Sequence, residues 1–291
     1  MHDNPPAGSA RNFALPDQHV ISLTGRDAVA FAQAQFMNDV TALASGHWQW
    51  NGWLTPKGRV VALFALLRID DETVWLLLPD ADPVAMVDAL QRFVFRSRVT
   101  LAVGTELKVS GAFVAPLVAS AARLDASHPG ALELDFSGQG GPRSLRIGTD
   151  AAGENEDGTL LARWLASDLQ HGLPRLPSSQ VEQWTPQQLS LERLRGFSIR
   201  KGCYPGQEIV ARTHFLGKAK RGLALLEAHA PLAVGTPIHD GDTLLGNVIC
   251  AAGAAARHLG LAVLPMARAA VALTASGSPV RELQICSGLD R

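Results

Sequence analysis

Several scarcities in this chain narrow its function before any motif is read. It has 3 cysteines in 291 residues, Cys203, Cys250 and Cys286, widely separated and without a C-x-x-C pair or zinc-finger His/Cys spacing. That pattern excludes a disulfide framework and a self-contained iron–sulfur centre, which needs about four protein ligands, so no metal site is expected. Charged residues make up only 18% and the formal net charge is −1. Proteins that coat nucleic acid cluster Lys and Arg, so no stable nucleic-acid binding is expected from the overall balance. No apolar run reaches membrane-spanning length, and the longest clear one, Val60 to Leu67, reads as a buried strand. Met1 to Gly8 lacks the basic and apolar segments of a signal peptide. The expectation is therefore a cytoplasmic protein with no membrane partner. Tyrosine is rarest of all, present once, at Tyr204.

What is present is a chain with 47% hydrophobic residues, too long for one ordinary core, so two or three domains are expected. Short β-rich runs (His19 to Leu23, Trp48 to Leu54, Arg59 to Ile69, Thr73 to Leu78) alternate with two helical patterns. One helix is expected from an Asp27 cap, with Ala28, Phe31, Ala32 and Phe36 at helical spacing, to an end near Asn38-Asp39, and the other from Pro83 to about Phe93. This order mixes antiparallel hairpins with isolated helices and predicts α+β rather than a doubly wound sheet. Weaker strands follow at Leu107 to Val114, Ala131 to Phe136 and Leu145 to Ile147, then a Gly/Glu/Asp stretch at 153–158 that reads as flexible. Helices are expected from Leu160 to His171 and from Thr185 to Gly196. After Gly222, short strands alternate with Gly and Pro turns: Gly222 to Leu226, Thr243 to Cys250, Leu259 to Leu264, Ala270 to Leu273 and Glu282 to Ile285. They predict a small antiparallel barrel, with a boundary that divides the chain into 1–220 and 221–291.

The stretch richest in chemistry is Lys201-Gly-Cys-Tyr-Pro-Gly-Gln-Glu208. Gly202, Pro205 and Gly206 predict a tight exposed bend. Arg200 and Lys201 flank Cys203, and neighbouring cations favour thiolate over thiol. A lone cysteine is also often a small buried hydrophobe, and the loop by itself leaves both readings open. Arg195, Arg200, Lys201, Arg212, Lys218, Lys220 and Arg221 concentrate cations around it, as a solvated face or as a means of steering a ligand. A cysteine hydrolase pairing Cys203 with His214 is the weakest reading, since nothing resembles an oxyanion-hole context.

The run Lys201-Gly-Cys-Tyr-Pro-Gly-Gln-Glu-Ile-Val-Ala-Arg212 closely resembles the signature of the YgfZ family. That family is similar in fold to the glycine-cleavage T-protein, a tetrahydrofolate-dependent aminomethyltransferase. Weaker matches extend along most of the chain: Leu23-Thr-Gly-Arg-Asp-Ala, Phe31-Ala-Gln-Ala-Gln, Asn38-Asp-Val, Thr55-Pro-Lys-Gly-Arg59, Trp164 through Pro174, Leu244-Leu-Gly-Asn-Val and Leu259-Gly-Leu-Ala. The resemblance implies intertwined N-terminal α/β subdomains around a central cavity, with a C-terminal β-barrel beside it. It implies tetrahydrofolate, or a one-carbon derivative of it, as the cofactor. Its candidate contacts are Trp164, Asn38, Asp39, Arg59, Gln170, Tyr204, Gln207 and Arg212, with Cys203, Lys201 and Glu208 as the catalytic candidates. Trp164 would be an aromatic wall for the pterin or a core tryptophan, and Glu208 a base or an ion-pair partner of Lys201 or Arg212. Ala34 and Met37 stand where relatives commonly carry Gly and Thr, Gln18 where some carry a second tryptophan, and Gln170 where many carry Glu.

The implied function is a folate-binding accessory protein for assembly or repair of iron–sulfur clusters, including those of tRNA-modifying enzymes. Its partners would be folate and iron–sulfur proteins or cluster-assembly factors. The alternative is a folate-dependent aminomethyl or other one-carbon transferase. Where the T-protein has carboxylates after a hairpin, this chain reads Thr55-Pro-Lys-Gly-Arg-Val-Val, so glycine-cleavage turnover is not expected.

Overall fold

The computed structural model describes residues 12–127, 130–149, 157–217, 219–254, 257–268 and 272–291. From the N-terminal side the elements are β1 (Phe13–Ala14), β2 (His19–Thr24), α1 (Ala28–Gln35), β3 (His47–Leu54), β4 (Val60–Arg68), β5 (Thr73–Leu78), α2 (Pro83–Gln91) and β6 (Thr100–Val103). Then come β7 (Lys108–Ala112), β8 (Ala131–Asp135), β9 (Ser144–Gly148), α3 (Gly158–Gln170) and α4 (Gln207–Phe215). The remaining strands are β10 (Arg221–Ala228), β11 (Pro237–Asp240), β12 (Thr243–Ala254), β13 (Arg257–Pro265), β14 (Leu273–Ala275) and β15 (Ser278–Leu283).

The fold is α+β. A five-stranded antiparallel sheet has the order β3-β4-β5-β2-β6, and a four-stranded sheet the order β1-β7-β9-β8. The chain crosses between these two sheets at once, because β1 belongs to the second and β2 to the first. Strands β10-β13-β12-β11-β14-β15 form a closed barrel. Period-two alternation gives the five-stranded sheet two buried faces. Ile21, Leu23, Phe64, Leu66, Leu76 and Leu78 pack with α1 and α2, while Val20, Leu63, Leu67 and Leu77 join a central core. That central core also takes in the four-stranded sheet, α3 and the outer face of the barrel. Burial on both sides is why β4 reads as an almost unbroken apolar run.

Several expectations are corrected. Asp27 makes no side-chain cap on α1; its carboxylate accepts the Arg98 N–H at 2.7 Å instead. The helix expected from Thr185 to Gly196 is a set of turns closing in a 3-10 turn at Leu191–Leu194. Ser190 and Arg195 bracket that turn in the left-handed region (φ 50 and 53), which a continuing helix cannot accommodate. Side chains take the backbone's bonds there: Gln188 accepts from the Thr185 N–H, and Ser190 Oγ from the Leu223 N–H. Helix α4 is unexpected, because its weakly amphipathic sequence follows directly on a turn-forming loop. Strands β6 and β11 also go beyond the sequence pattern. Residues 270 and 271 of one expected strand, residues 153–156 of the flexible stretch and Lys218 lie outside the described residues. Residues 284–291 leave the barrel and return to the sheets, where Trp50 Nε1 donates to the Leu289 carbonyl at 2.6 Å.

Candidate functional site

The bend runs from Ser198 to Gly206 and is held from several sides. The Ser198 hydroxyl accepts from the Arg200 and Lys201 N–H groups, both at 3.2 Å, and the Tyr204 hydroxyl donates back to the Ser198 carbonyl at 3.2 Å. Gln207 Nε2 donates to the Lys201 carbonyl at 3.1 Å. Gly206, at φ 81, stands before the first turn of α4, so the loop turns directly into a helix. Burial pushes the Tyr204 phenol further up, which keeps it a donor.

Lys201 does not lie on the surface beside the thiol. Its side chain is buried, and the ammonium donates to the carbonyls of Gln33 (2.5 Å), Phe36 and Asn38 (3.2 Å). These carbonyls lie at and just beyond the C-terminal turn of α1, where unsatisfied acceptors and the helix dipole favour a cation. The Tyr204 ring lies beneath it, 4.8 Å away. Burial pulls the ammonium down to about 8, opposed by the charge of Asp39. This geometry makes Lys201 a clamp between the loop and α1. Cys203 is exposed at the crest of the bend. Glu208 and Arg212 lie exposed on α4, and among the described residues Glu208 forms an ion pair with neither Lys201 nor Arg212.

Next to the clamp is a cavity of about 390 Å³, lined among others by Asn38, Asp39, Gln49, Phe197, Ser198 and the three arginines Arg195, Arg200 and Arg291. Asn38 is a scaffold residue: its amide donates to the carbonyls of Trp50 (2.9 Å) and Arg195 (2.7 Å), and its oxygen accepts the Asp39 N–H. Burial alone would raise the Asp39 carboxyl, but hydrogen bonds from Thr41, Ala42 and Gln33 outweigh it and hold it below the usual range. Only Oδ1 receives those bonds, so Asp39 brings a charged oxygen to the cavity. Met37, where relatives commonly have Thr, is fully buried and fills space against Gly52.

The other predicted contacts lie elsewhere. Trp164 is 2% exposed and packs edge-on to Phe13 and Phe113, with the Arg143 guanidinium 4.6 Å over its ring. A cluster of rings (Phe136, Trp48, Trp50) connects it to the cavity side, where Arg291 covers Trp48. Its indole N–H is buried without a partner among the described residues. Gln170 ends α3, and its carbonyl accepts the Cys286 N–H. Arg59 donates to the Gln183 carbonyl at 2.7 Å and to Gln188, tying the 55–59 turn to the 183–188 segment. The structure therefore brings Asn38, Asp39, Lys201, Tyr204 and Gln207 together and leaves Trp164, Gln170 and Arg59 apart from them. Sequence reasoning missed Gln49, Phe197, Ser198 and Arg291. Gln49 left a signal, an amide set between two tryptophans. Among the described residues no group of three His, Cys, Asp or Glu side chains is placed to hold a metal ion, and no helix is long and apolar enough to cross a membrane.

No family model matches the chain. It is 30% identical over 248 residues to the tRNA-modifying protein YgfZ of Klebsiella pneumoniae, covering 77% of this chain and 75% of that protein. The YgfZ of Cronobacter sakazakii is 31% identical over 248 residues, covering 77% and 74%. That of Escherichia coli is 28% identical over 246 residues, covering 77% and 75%. Among solved structures, the glycine cleavage system aminomethyltransferase T from Bartonella henselae superimposes with a TM-score of 0.69 at 14% identity, covering 92% of this chain and 83% of that one. At that identity the likeness concerns the fold, which is T-protein-like.

Proposed function

Because the chain belongs to the YgfZ family, we propose that it binds a tetrahydrofolate in the cavity beside the Lys201 clamp and supports assembly or repair of iron–sulfur clusters, including those of tRNA-modifying enzymes. The observation that carries this reading is the cavity itself, whose wall at Ser198 to Arg200 leads straight into the loop bearing Cys203.

The residues present fit a reduced folate. A pterin is flat and carries adjacent N–H donors, which suit the free, ionised oxygen of Asp39 and the amide of Gln49. Phe197 and Ile199 supply apolar wall, and Arg195, Arg200 and Arg291 supply cations for the carboxylates of a glutamate tail. When bound, tetrahydrofolate would bring one-carbon chemistry to the cavity. Lys201 does not touch it in this reading; together with Asn38, which lines the cavity, it fixes the strand, helix and loop that form the walls. Trp164 acts at a distance, by packing the aromatic core behind the cavity, and Gln170 by holding the 286 segment through its carbonyl. The thiol of Cys203, raised on a fixed bend and open to solvent, is the group offered to a client cluster, and thiolate sulfur is a favoured ligand for iron.

Calorimetric titration with tetrahydrofolate under anaerobic conditions tests the first half. Wild type should bind, and Gln49→Leu or Arg200→Ala should weaken binding about tenfold; no binding by wild type at millimolar ligand overturns the reading. For the second half, a Cys203→Ser protein should retain folate binding yet fail to restore cluster-enzyme activity in cells lacking this protein. Full restoration would refute the role of the thiol, and robust aminomethyl turnover would replace the accessory reading with a transferase.

A further inference from the structure

The connection between α2 and β6 reads Arg92-Phe-Val-Phe-Arg-Ser-Arg98. It holds three arginines, two phenylalanines and no carboxylate. Phe95 is 75% exposed and Phe93 49% exposed, although rings of this size are usually withdrawn from water. The arrangement is not an oily patch. Val94 between them is half-buried, the Arg96 guanidinium stacks 5.0 Å over the Phe95 ring, and Phe93 rests edge-on against Trp53. Arg92, Arg96 and Arg98 are exposed, and among the described residues none has a carboxylate within ion-pair distance. Arg26 adjoins them, because the Arg98 N–H donates to Asp27.

The neighbouring acids leave this positive charge largely in place. Asp27 is engaged by Arg26 at 3.7 Å and by the Arg98 N–H. Asp88 stands one turn before Arg92 on α2, and Glu72 meets this edge through its carbonyl, which accepts the Gly25 N–H. Arg96 and Arg98 are left as the least compensated cations, directly beside the most exposed ring.

We propose that this connection, with Phe93 and Phe95 as stacking platforms and Arg92, Arg96 and Arg98 as phosphate contacts, binds single-stranded nucleic acid. A protein partner would be expected to meet a contiguous apolar centre with charge at its rim. Here two exposed rings, separated by the half-buried Val94, have guanidinium groups on both sides, Arg92 before them and Arg96 and Arg98 after, which sets stacking faces beside phosphate contacts as an unpaired strand requires. The net charge of −1 does not oppose this, because binding depends on the local field and not on the total. The proposal is independent of the folate cavity, which shares none of these residues.

Fluorescence anisotropy with labelled strands of about 15 nucleotides tests it. The probes are an oligouridylate, an oligothymidylate and a duplex of the same length. Wild type should bind the single strands more tightly than the duplex, and the comparison of uridylate with thymidylate shows whether RNA is preferred. Affinity should fall about a hundredfold for a tenfold rise in salt if three phosphates are contacted. Phe95→Ala should weaken binding about tenfold, and Arg96→Glu/Arg98→Glu should weaken it and flatten the salt dependence. These side chains are exposed, so the variants should melt like wild type. Lys108→Glu, at an exposed site on β7, should bind normally. No binding by wild type, equal preference for duplex, or patch variants that bind as well as the control would each overturn the proposal. So would loss of a protein partner with oligonucleotide binding untouched.

Discussion

Gly58 and Gly206 meet backbone to backbone. A Cβ on Gly206 would lie 2.7 Å from the Gly58 Cα and 2.6 Å from the Thr55 carbonyl oxygen, and one on Gly58 would lie 2.8 Å from the Ile209 Cβ. Both are left-handed, at φ 68 and 81. The Thr55–Gly58 turn is therefore docked against the start of α4, and the two glycines set how closely the thiol-bearing loop approaches β4. Gly206→Ala should cost about 2–4 kcal/mol, combining the left-handed strain with the clash. Urea unfolding measures it. A loss below about 0.5 kcal/mol would show that the turn can move aside.

Lys201 supplies the second anchor. Replacing it with Met leaves the carbonyls of Gln33, Phe36 and Asn38 without their shared donor, at a cost of about 2–4 kcal/mol. The loop should also loosen, so peptide hydrogen exchange across 198–206 should accelerate in Lys201→Met. Unchanged exchange would separate the clamp from the order of the loop.

The same lysine sets a pH dependence. Its folded-state value, pulled from 10.5 to about 8 chiefly by burial, lies below the unfolded value. Between about pH 8 and 10.5 the unfolded chain therefore holds more protons at this site, and the contribution to stability rises with pH across that window. Below about pH 8 it is flat. The stability gap between wild type and Lys201→Met should widen from pH 8 to 10; a constant or narrowing gap would contradict the assignment.

The three thiols should separate kinetically. Cys203 is exposed, Cys286 is half-buried with its thiol pushed up by burial, and Cys250 is buried with its thiol pushed up to about 12. A disulfide reagent at neutral pH should consume one thiol quickly, a second slowly and the third only on unfolding. A fast phase that survives Cys203→Ser would disprove the order.

Behind the cavity, Arg143 and Asp168 pair at 2.8 Å, with side chains 3% and 2% exposed. Asp168→Ala strands the guanidinium over Trp164 and should cost about 3–5 kcal/mol. A cost under about 1 kcal/mol would mean that Arg143 finds another partner or water.

The amino-acid order alone determined the features that depend on near neighbours: Thr73–Leu78 as a strand, Pro83 opening a helix and the 202–206 bend. Residues a few positions apart decide each of these through periodicity, a preset φ or missing Cβ atoms. It also carried the family resemblance, which named Cys203, Asn38 and Asp39. Only the tertiary structure decided what those residues face. Lys201 reads as a cation beside a thiol, yet its ammonium is satisfied by a carbonyl 168 positions earlier. Trp164 reads equally as wall or core, and the rings of Phe13, Phe113 and Phe136 that enclose it come from separate segments of the chain. The segment from Thr185 to Gly196 has helical spacing, but Ser190 bonds to distant backbone, the chain turns left-handed there, and the helix is lost. Burying a charge or a ring is worth its cost only when partners from remote parts of the chain arrive together, and that meeting leaves no local trace.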